Sequence, residues 1–493
     1  MPLLSAFETN LLMLGFALAT IVVVRTFNKR EEHSEGFLAA DRKVTAFQGA
    51  FSIAVSWVWA PAIFVCSMQA YKLGLPGIFW FTVPNILCFF LFAPIAVRLR
   101  KLNPNGYTLP EFMHDRFNGD RPVHSVYLLL FFGYQLAAII SNAVAGGYLL
   151  NALSGIDMSV AILTMVAIAL SYSLWSGLKA SILTDVVQMF MVLGLAFVIV
   201  PLCVISAGGI STIMAGLGGV DGSHSSVFEP WIAFTMGIPM TISLLSGPIC
   251  DQMFFQRSMA VEEKNIAKTF VFGGLIFGMV PITLSLLGFI AAAKVSSGAM
   301  SVADPQMVGA LAIGQYLPRP ALYAFAFMAF AGLCSTLDSA LCAASSLGSV
   351  DVFKRYIKPD ASDREMLLSA RAAMLLVALL GTGVALLQPK ILWVFFISGA
   401  LAASGFFPTI LAIYWKKLPA AGVLWGIGTS LALGTPLAIY ANVSGDPVMN
   451  VIAAAVSISA GLVACLLAAM RTAEKSSDER PAAEETTPIL VDV

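Results

Sequence analysis

The sequence predicts an all-α polytopic membrane protein with thirteen transmembrane helices. Of its 493 residues, 58% are hydrophobic and only 11% are charged, whereas soluble proteins carry roughly a quarter charged residues. A helix needs about 20 apolar residues to cross a hydrocarbon core of about 30 Å, and backbone groups facing lipid must be satisfied within the segment. Thirteen stretches meet this requirement, at residues 8–26, 46–70, 76–97, 124–153, 158–177, 181–206, 231–253, 268–293, 320–347, 366–387, 391–414, 420–441 and 448–470.

The distribution of charge predicts the orientation of the chain. Lys and Arg number 28, as do Asp and Glu, so no basic excess favours nucleic acid as a partner. Basic residues collect in cytoplasmic connections. With the N-terminus outside and the C-terminus in the cytoplasm, only four basic residues lie outside: Lys72, Lys294, Arg319 and Lys390. We therefore expect a multi-pass protein of the cell (inner or plasma) membrane.

Two of the predicted spans contain prolines at matching places. Pro61 lies in the second span and should break that helix, because proline removes a donor and clashes with the carbonyl four residues earlier. The seventh span is interrupted at Gly237-Ile-Pro239 and at Ser246-Gly247-Pro248. Broken helices at corresponding places in two halves are typical of inverted-repeat secondary transporters, and spans two and seven are five apart.

This spacing predicts a core of five plus five helices with one extra helix before it and two after it. The expected units are an N-terminal helix and cytoplasmic loop, a first repeat, an extracellular loop, a second repeat, two C-terminal helices and a disordered cytoplasmic tail. Their boundaries are 1–45, 46–206, 207–230, 231–414, 415–470 and 471–493.

Ionisable residues at bilayer depth are costly and usually functional. Asp185 begins the sixth span and Asp338 lies in the middle of the ninth. Asp251 ends the seventh span, where we expect it at the interface, paired with Arg257.

The ninth span carries a stripe of small and hydroxyl-bearing residues on one helix face. Hydroxyls, a carboxylate and backbone carbonyls suit a hard cation such as Na⁺. Close helix packing is the alternative explanation of such a stripe, and the adjacent Asp338 favours an ion site. The stripe consists of Gly332, Ser335, Thr336, Ser339 and Ala343.

Aromatic and amide side chains near the first break are candidates for a substrate site. Trp57 and Trp59 flank the break and could form walls of a pocket, or one could simply pack into the bundle. Gln135 and Asn142 share a face of the fourth span. They are either substrate ligands or hydrogen-bond contacts between helices.

Several segments together resemble the sodium:solute symporter family over roughly residues 8–470. The segments are Trp175–Gln188, Ser335–Ser339 with Ser345 and Ser346, Asp351–Lys354, Tyr107–Phe117 and Tyr71–Gly77. The resemblance implies thirteen helices, an external N-terminus and a leucine-transporter-type inverted-repeat core.

By resemblance, residue roles can be assigned by position. The principal sodium site would use Val55, Val58, Gly332, Ser335 and Thr336. A second sodium site would use Asp185, Ser335, Asp338 and Ser339. Family members with the second site often carry serine in place of Asp338, so this carboxylate could either strengthen cation binding or be protonated and couple to H⁺. Substrate contacts would include Ser56, Trp57, Trp59, Gln135 and Asn142.

The predicted function is Na⁺-coupled symport of a small organic solute by alternating access. Urea or a similar nitrogen-bearing solute, or a proline-like amino acid, is favoured because the region Ser56–Trp80 resembles urea-transporting members. The alternatives are transport of short carboxylates or sugars by the same fold, or a channel or sensor of the same fold.

We expect no enzymatic activity, no cofactor apart from Na⁺ as coupling ion and no transition metal, since the seven Cys and four His show no ligand spacing. A monomer should be sufficient.

Overall fold

The structure is a computed structural model that describes residues 4–224 and 226–478. Twelve of its helices are long and apolar enough to cross a membrane, and we treat the protein as a multi-pass membrane protein. The long and broken helices are α1 Ala6–Phe27, α2 Ala46–Ser56, α3 Ala60–Leu102, α4 Arg121–Ser154, α5 Met158–Ser176, α6 Leu178–Ser206, α7 Pro230–Cys250, α8 Gln252–Ala260, α9 Ile266–Ser296, α10 Arg319–Ile357, α11 Asp363–Ala385, α12 Ile391–Tyr414, α13 Ala420–Ser444 and α14 Pro447–Asp478. Short helices at Ser34–Ala39, Leu109–Arg116, Ile210–Gly216 and Val308–Tyr316 connect them.

Local signals explain several helix ends. Ser5 and Thr45 form capping boxes at the starts of α1 and α2, and Ser362 does the same for α11. Each satisfies backbone donors that the first helical turn leaves free. Gly155 and Gly445 end α4 and α13 in the left-handed conformation, which glycine adopts without steric cost.

The predicted break at Pro61 is confirmed. Helix α2 ends at Ser56, Trp59 is extended with φ −68° and ψ 171°, and α3 begins at Ala60 with Pro61 in its first turn. The second break lies later than predicted. A π-helical segment covers Ala233–Gly237 and a 3₁₀ turn covers Gly247–Cys250, but the chain leaves the helix only at Asp251. The predicted span 231–253 is therefore α7 and α8 together, reaching Ala260.

Helix α3 is 43 residues long, about twice the length that one crossing requires. Gly74 interrupts it with φ 60° and ψ −141°. A Cβ at this position would lie 2.1 Å from the carbonyl oxygen of Leu217, so this close approach of two backbones requires glycine.

The two halves of α3 run in opposite directions along α9. Before Gly74, successive residues of the chain contact successively higher-numbered residues of α9. After Gly74, they contact successively lower-numbered residues of α9. Before the turn, Ile53 of α2 lies at Gly273, Ser67 of α3 at Leu284 and Ala70 of α3 at Gly288; after the turn, Ile86 lies at Gly278 and Phe89 at Gly274. Helix α3 thus contains the end of the second predicted span and all of the third. The count of thirteen spans stays a prediction, because the described residues form twelve helices of sufficient length.

Two other predictions concern the chain ends. Helix α1 lies within the predicted N-terminal unit 1–45. Helix α14 continues to Asp478, eight residues into the segment 471–493 for which the sequence predicts a disordered tail. The remainder of that segment, 479–493, lies outside the described residues.

We predict that Gly288→Ala destabilises the protein by about 1–3 kcal/mol, the usual cost of overpacking. A Cβ there would lie 2.2 Å from the Ser67 carbonyl oxygen and 2.7 Å from the Ala70 Cβ, so α9 and α3 would have to separate. The measurement is thermal unfolding of the purified protein in detergent.

The matched control for this prediction is Gly194→Ala in α6. That glycine is exposed, and a Cβ added to it would meet no atom within 4 Å, so alanine should be neutral or stabilising there. Equal unfolding temperatures for the two variants would contradict the tight α3–α9 contact.

Candidate functional site

Four oxygen atoms converge where the first break meets α10. The Thr336 hydroxyl Oγ1 lies 3.1 Å from the carbonyl oxygen of Ser56, 3.3 Å from that of Val58 and 3.3 Å from that of Gly332. All four residues are buried. A hydroxyl donates only one hydrogen bond, so the group presents more acceptors than its own proton can satisfy. Such an oxygen-rich cluster fits a small hard cation.

Only three of the five residues of the predicted principal sodium site meet in this oxygen cluster. The structure brings Val58, Gly332 and Thr336 together, and it adds the Ser56 carbonyl, which the sequence assigned to the substrate instead. The Val55 carbonyl accepts a hydrogen bond from the Val58 backbone N at 2.9 Å. Ser335 instead donates to Asp185 Oδ1.

The four residues of the predicted second sodium site belong to one buried hydrogen-bonded cluster. Asp185 accepts from Ser335 and, at 2.5 Å, from Ser52. Asp338 accepts from Ser181 at 2.6 Å and from Tyr172 at 2.5 Å. Ser181 joins the two aspartates, since its hydroxyl also lies 3.5 Å from Asp185 and 3.4 Å from the Ser339 hydroxyl.

The sequence reasoning named Arg257 only as a partner of Asp251 and missed its place in this cluster. Its side chain is fully buried, and its guanidinium Nη2 donates to Asp185 at 3.0 Å and to Ser339 at 2.6 Å. Its Nε donates to Ser52 at 3.1 Å. The expected pairing of Arg257 with Asp251 is wrong, because the break in the chain at Asp251 lets α8 direct the guanidinium towards α6 and α10.

The ionisable groups of this cluster are therefore two carboxyl groups and one guanidinium. Buried charges persist in a protein only when they are paired and hydrogen-bonded, and Arg257 supplies the pairing. It also links four elements, because its partners lie on α2, α6 and α10 while it belongs to α8.

A cavity with an empty volume of about 440 Å³, part of it open to solvent, lies beside the first break. Trp57 and Trp59 line it as predicted, with Asn85 and Tyr134 among its other walls. The two indole rings are 5.3 Å apart in an edge-to-face arrangement, and Trp57 donates to the Asn85 side chain at 2.9 Å. Its walls contain no charged side chain among the described residues, which favours a neutral or zwitterionic ligand.

The other three predicted substrate residues are not among the walls of this cavity, and each has a hydrogen-bond partner in the chain. The Ser56 hydroxyl donates to the Ser52 carbonyl at 2.7 Å. Asn142 accepts from the Ala60 backbone N at 3.1 Å, so it caps the start of α3 and acts as a contact between helices. Gln135 donates to Asp251 at 2.9 Å.

The cavity continues towards one side of the molecule. A larger space of about 1180 Å³ shares Pro61, Phe81 and Phe395 with it and reaches Lys72 and Gln306, which belong to connections predicted to lie outside.

The opposite side is closed. Phenylalanine rings fill it at centroid distances of 4.8–5.9 Å: Phe89, Phe92, Phe254, Phe255, Phe270 and Phe277. Beyond them, His124 lies 2.9 Å from Asp351 and 2.6 Å from the Tyr356 hydroxyl. Within the described part of the chain, the cavity is therefore open on the side of Lys72.

A comparison of the sequence with known families identifies the chain. The profile of the sodium:solute symporter family matches residues 37–429, which is most of its length. The chain belongs to the sodium:solute symporter family. This membership confirms the resemblance inferred from the motifs.

Two individual proteins of known function share less than a third of their residues with this chain. The chain is 23% identical to the urea-proton symporter DUR3 of Oryza sativa subsp. japonica over 85% of its own length, and it spans 63% of that protein, less than two thirds. It is 27% identical to the high-affinity proline transporter PutP of Bacillus subtilis, covering 68% of this chain and 72% of PutP.

A solved structure supports the fold. The structure of a Na⁺-coupled sialic acid symporter, in a substrate-bound outward-open state, matches with a TM-score of 0.77 and 18% identity, covering 94% of this chain and 98% of that one. At this identity the similarity shows the fold alone. This fold is the leucine-transporter-type fold that the sequence predicts for this chain.

We predict that Arg257→Met destabilises the protein by about 3–5 kcal/mol, because it leaves the buried Asp185 carboxylate without its cation. Combining it with Asp185→Asn should recover part of this loss. Thermal unfolding of the single and double variants measures both effects.

The control for Arg257 is Arg319→Met. Arg319 lies 3.9 Å from Glu8 with a side chain that is 64% exposed, so its removal should cost no more than about 1 kcal/mol. If Arg257→Met were as mild as Arg319→Met, the buried ion pair would not have the role described.

Proposed function

We propose that the protein is a secondary active transporter that couples the uptake of a small organic solute to Na⁺. The observation that carries this proposal is the cluster of Thr336 Oγ1 with the carbonyl oxygens of Ser56, Val58 and Gly332. These atoms come from a broken helix and from the helix beside it, so an ion bound there connects two elements whose separation would change access to the cavity.

The coupling follows from this position. Na⁺ held between α10 and the break stabilises the conformation in which the cavity is open to the side of Lys72. The solute then binds next to Trp57 and Trp59, that side closes, and the side filled by phenylalanines opens. Inward movement of one charge releases about 2.3 kcal/mol per 100 mV, and a tenfold Na⁺ gradient adds about 1.4 kcal/mol.

The favoured substrate is urea or a similar small nitrogen-bearing solute. Support comes from the aromatic, uncharged cavity walls and from relatives that include urea transporters. A proline-like amino acid is the second candidate, because the chain is also similar to a proline transporter. Short carboxylates are less suited to a pocket without a cationic wall residue among the described residues, and sugars are the remaining alternative.

The other parts of the proposal concern location and assembly. The charge distribution supports a cell membrane location with the N-terminus outside and the C-terminus in the cytoplasm. Both the oxygen cluster and the cavity are built from one chain, so a monomer is sufficient for transport.

The decisive experiment is uptake into proteoliposomes, with and without an inward Na⁺ gradient, of radiolabelled urea, proline, acetate and glucose. Accumulation of one solute above its external concentration only with the Na⁺ gradient supports the symporter. Flux without accumulation would indicate a channel of the same fold, and Na⁺-independent uptake of every solute would contradict the proposal.

We predict that Thr336→Ala raises the Na⁺ concentration for half-maximal uptake about tenfold, the expected effect of losing one buried oxygen ligand. Ser345→Ala is the matched control, because that hydroxyl on the same helix donates only to the Cys342 carbonyl of its own turn. Unchanged Na⁺ dependence in Thr336→Ala would remove the hydroxyl from the sodium site.

The second sodium site at Asp185, Ser335, Asp338 and Ser339 stays a prediction with a specific requirement. A Na⁺ ion there must share its oxygens with the Arg257 guanidinium, which already binds Asp185 and Ser339.

We predict that Asp185→Asn lowers the number of charges moved per neutral solute from two to one if the second site binds a coupling ion. Paired measurements of current and solute flux give this ratio. A ratio of one in the unaltered protein, unchanged in the variant, would show that the second site does not take part in coupling.

A further inference from the structure

Two buried oxygen atoms at the second helix break have no hydrogen-bond donor within the described residues. They are Oδ2 of Asp251 and Oε1 of Gln135. Both side chains have 0% exposure. Native structures rarely leave buried polar atoms without partners, so something that the chain itself does not provide is expected to donate to them.

The hydrogen bonds that these two side chains make within the protein use only their other polar atoms, Asp251 Oδ1 and Gln135 Nε2. Asp251 caps helix α8 by accepting from the Met253 backbone N at 2.8 Å, and it accepts from Gln135 Nε2 at 2.9 Å, in both cases through Oδ1. The orientation of the Gln135 amide is set by this contact, because the flipped amide would place its oxygen against a carboxylate oxygen. One pair of side chains therefore presents two free acceptors.

This acceptor pair is separated from the cavity by one aromatic residue. Tyr134, next to Gln135 in the chain, lines the cavity. Its hydroxyl lies against Gly247, in the 3₁₀ turn that leads to Asp251, since a Cβ at Gly247 would be 2.9 Å from it. Ser246, in the same segment, also has an unpartnered hydroxyl in the described part of the molecule.

A free donor lies on the other side of Tyr134. The indole Nε1 of Trp59 is buried and lacks an acceptor among the residues described, and its ring is 5.6 Å from that of Tyr134. The region thus offers one N–H donor in the cavity wall and two acceptors behind Tyr134.

We infer that Asp251 and Gln135 form an acceptor pair that binds the N–H groups of the transported solute and selects its class. The solutes that fit are small amides of the urea type, whose N–H groups meet Asp251 and Gln135. A carboxylate solute is rejected, because its oxygens would face a carboxylate and an amide oxygen. This inference rests on the proposed function and deepens it.

The first test uses the unaltered protein and a series of ureas. Na⁺-driven uptake of ¹⁴C-urea in proteoliposomes is challenged with a tenfold excess of acetamide, 1,1,3,3-tetramethylurea or acetate. We expect acetamide to compete, and we expect tetramethylurea, which has no N–H group, and acetate not to compete. Competition by tetramethylurea as strong as that by acetamide would overturn the inference.

The second test uses Asp251→Asn and Gln135→Met. Both should raise the KM for urea by about tenfold or more, as expected for the loss of a buried hydrogen bond, with the half-saturating Na⁺ concentration unchanged. Asp157→Asn is the matched control, because Asp157 also caps a helix, through Ser159 and Val160, but is exposed and does not line the cavity.

The outcomes separate this inference from the proposed function. An unchanged KM for urea in Asp251→Asn overturns the acceptor pair, and so does a change in Na⁺ affinity as large as the change in KM, since that would mark a purely structural role. If either variant does not fold, the competition series still decides. Na⁺-driven uptake of acetate or glucose alone overturns the inference and leaves the symporter, whereas the absence of any Na⁺-driven uptake overturns the symporter.

Discussion

The structure depends on one constraint: inside a bilayer, a backbone carbonyl released from a helix must find another partner. The chain meets this constraint at the first break by placing the hydroxyl of Thr336 next to the carbonyls of Ser56 and Val58. The hydroxyl can donate to only one of them at a time, so the remaining lone pairs are available to a cation. A requirement of folding in lipid thereby produces an oxygen cluster that suits Na⁺.

Arg257 extends this arrangement to the second broken helix. It lies in α8, shortly after the break at Asp251, and reaches Asp185, Ser52 and Ser339. A buried ion pair adds little net stability but makes the loss of one partner costly, so it acts as a constraint on how these helices can separate. Because Ser52 lies one turn before the first break and Asp185 also accepts from α10, the two breaks are connected through side chains that are all buried.

The cavity lies between these two breaks, and its walls differ at the two sides. Towards Lys72 it widens into a larger space, whereas the other side is filled by phenylalanine rings in mutual contact. Aromatic contacts are apolar and individually weak, so such a barrier can be repacked without breaking a buried charge pair. The charged cluster and the aromatic barrier thus have separate tasks: the first links the helices, and the second blocks the passage.

The sequence alone determined the helical membrane fold, the break at Pro61, the oxygen-bearing face of α10 and the membership of Asp185, Asp338 and Ser339 in one region. These features follow from hydropathy, from the geometry of proline and from helix periodicity, which act over a few residues, and from the motifs shared with the family. Only the tertiary structure decided that Arg257 pairs with Asp185 rather than Asp251, that Asn142 caps α3, that Ser56 contributes its carbonyl to the oxygen cluster and that Asp251 is buried. The first three depend on which distant helix lies opposite a side chain, because the partners are 72 to 280 residues apart, and hydrogen-bond partners at such separations are set by packing of the whole bundle.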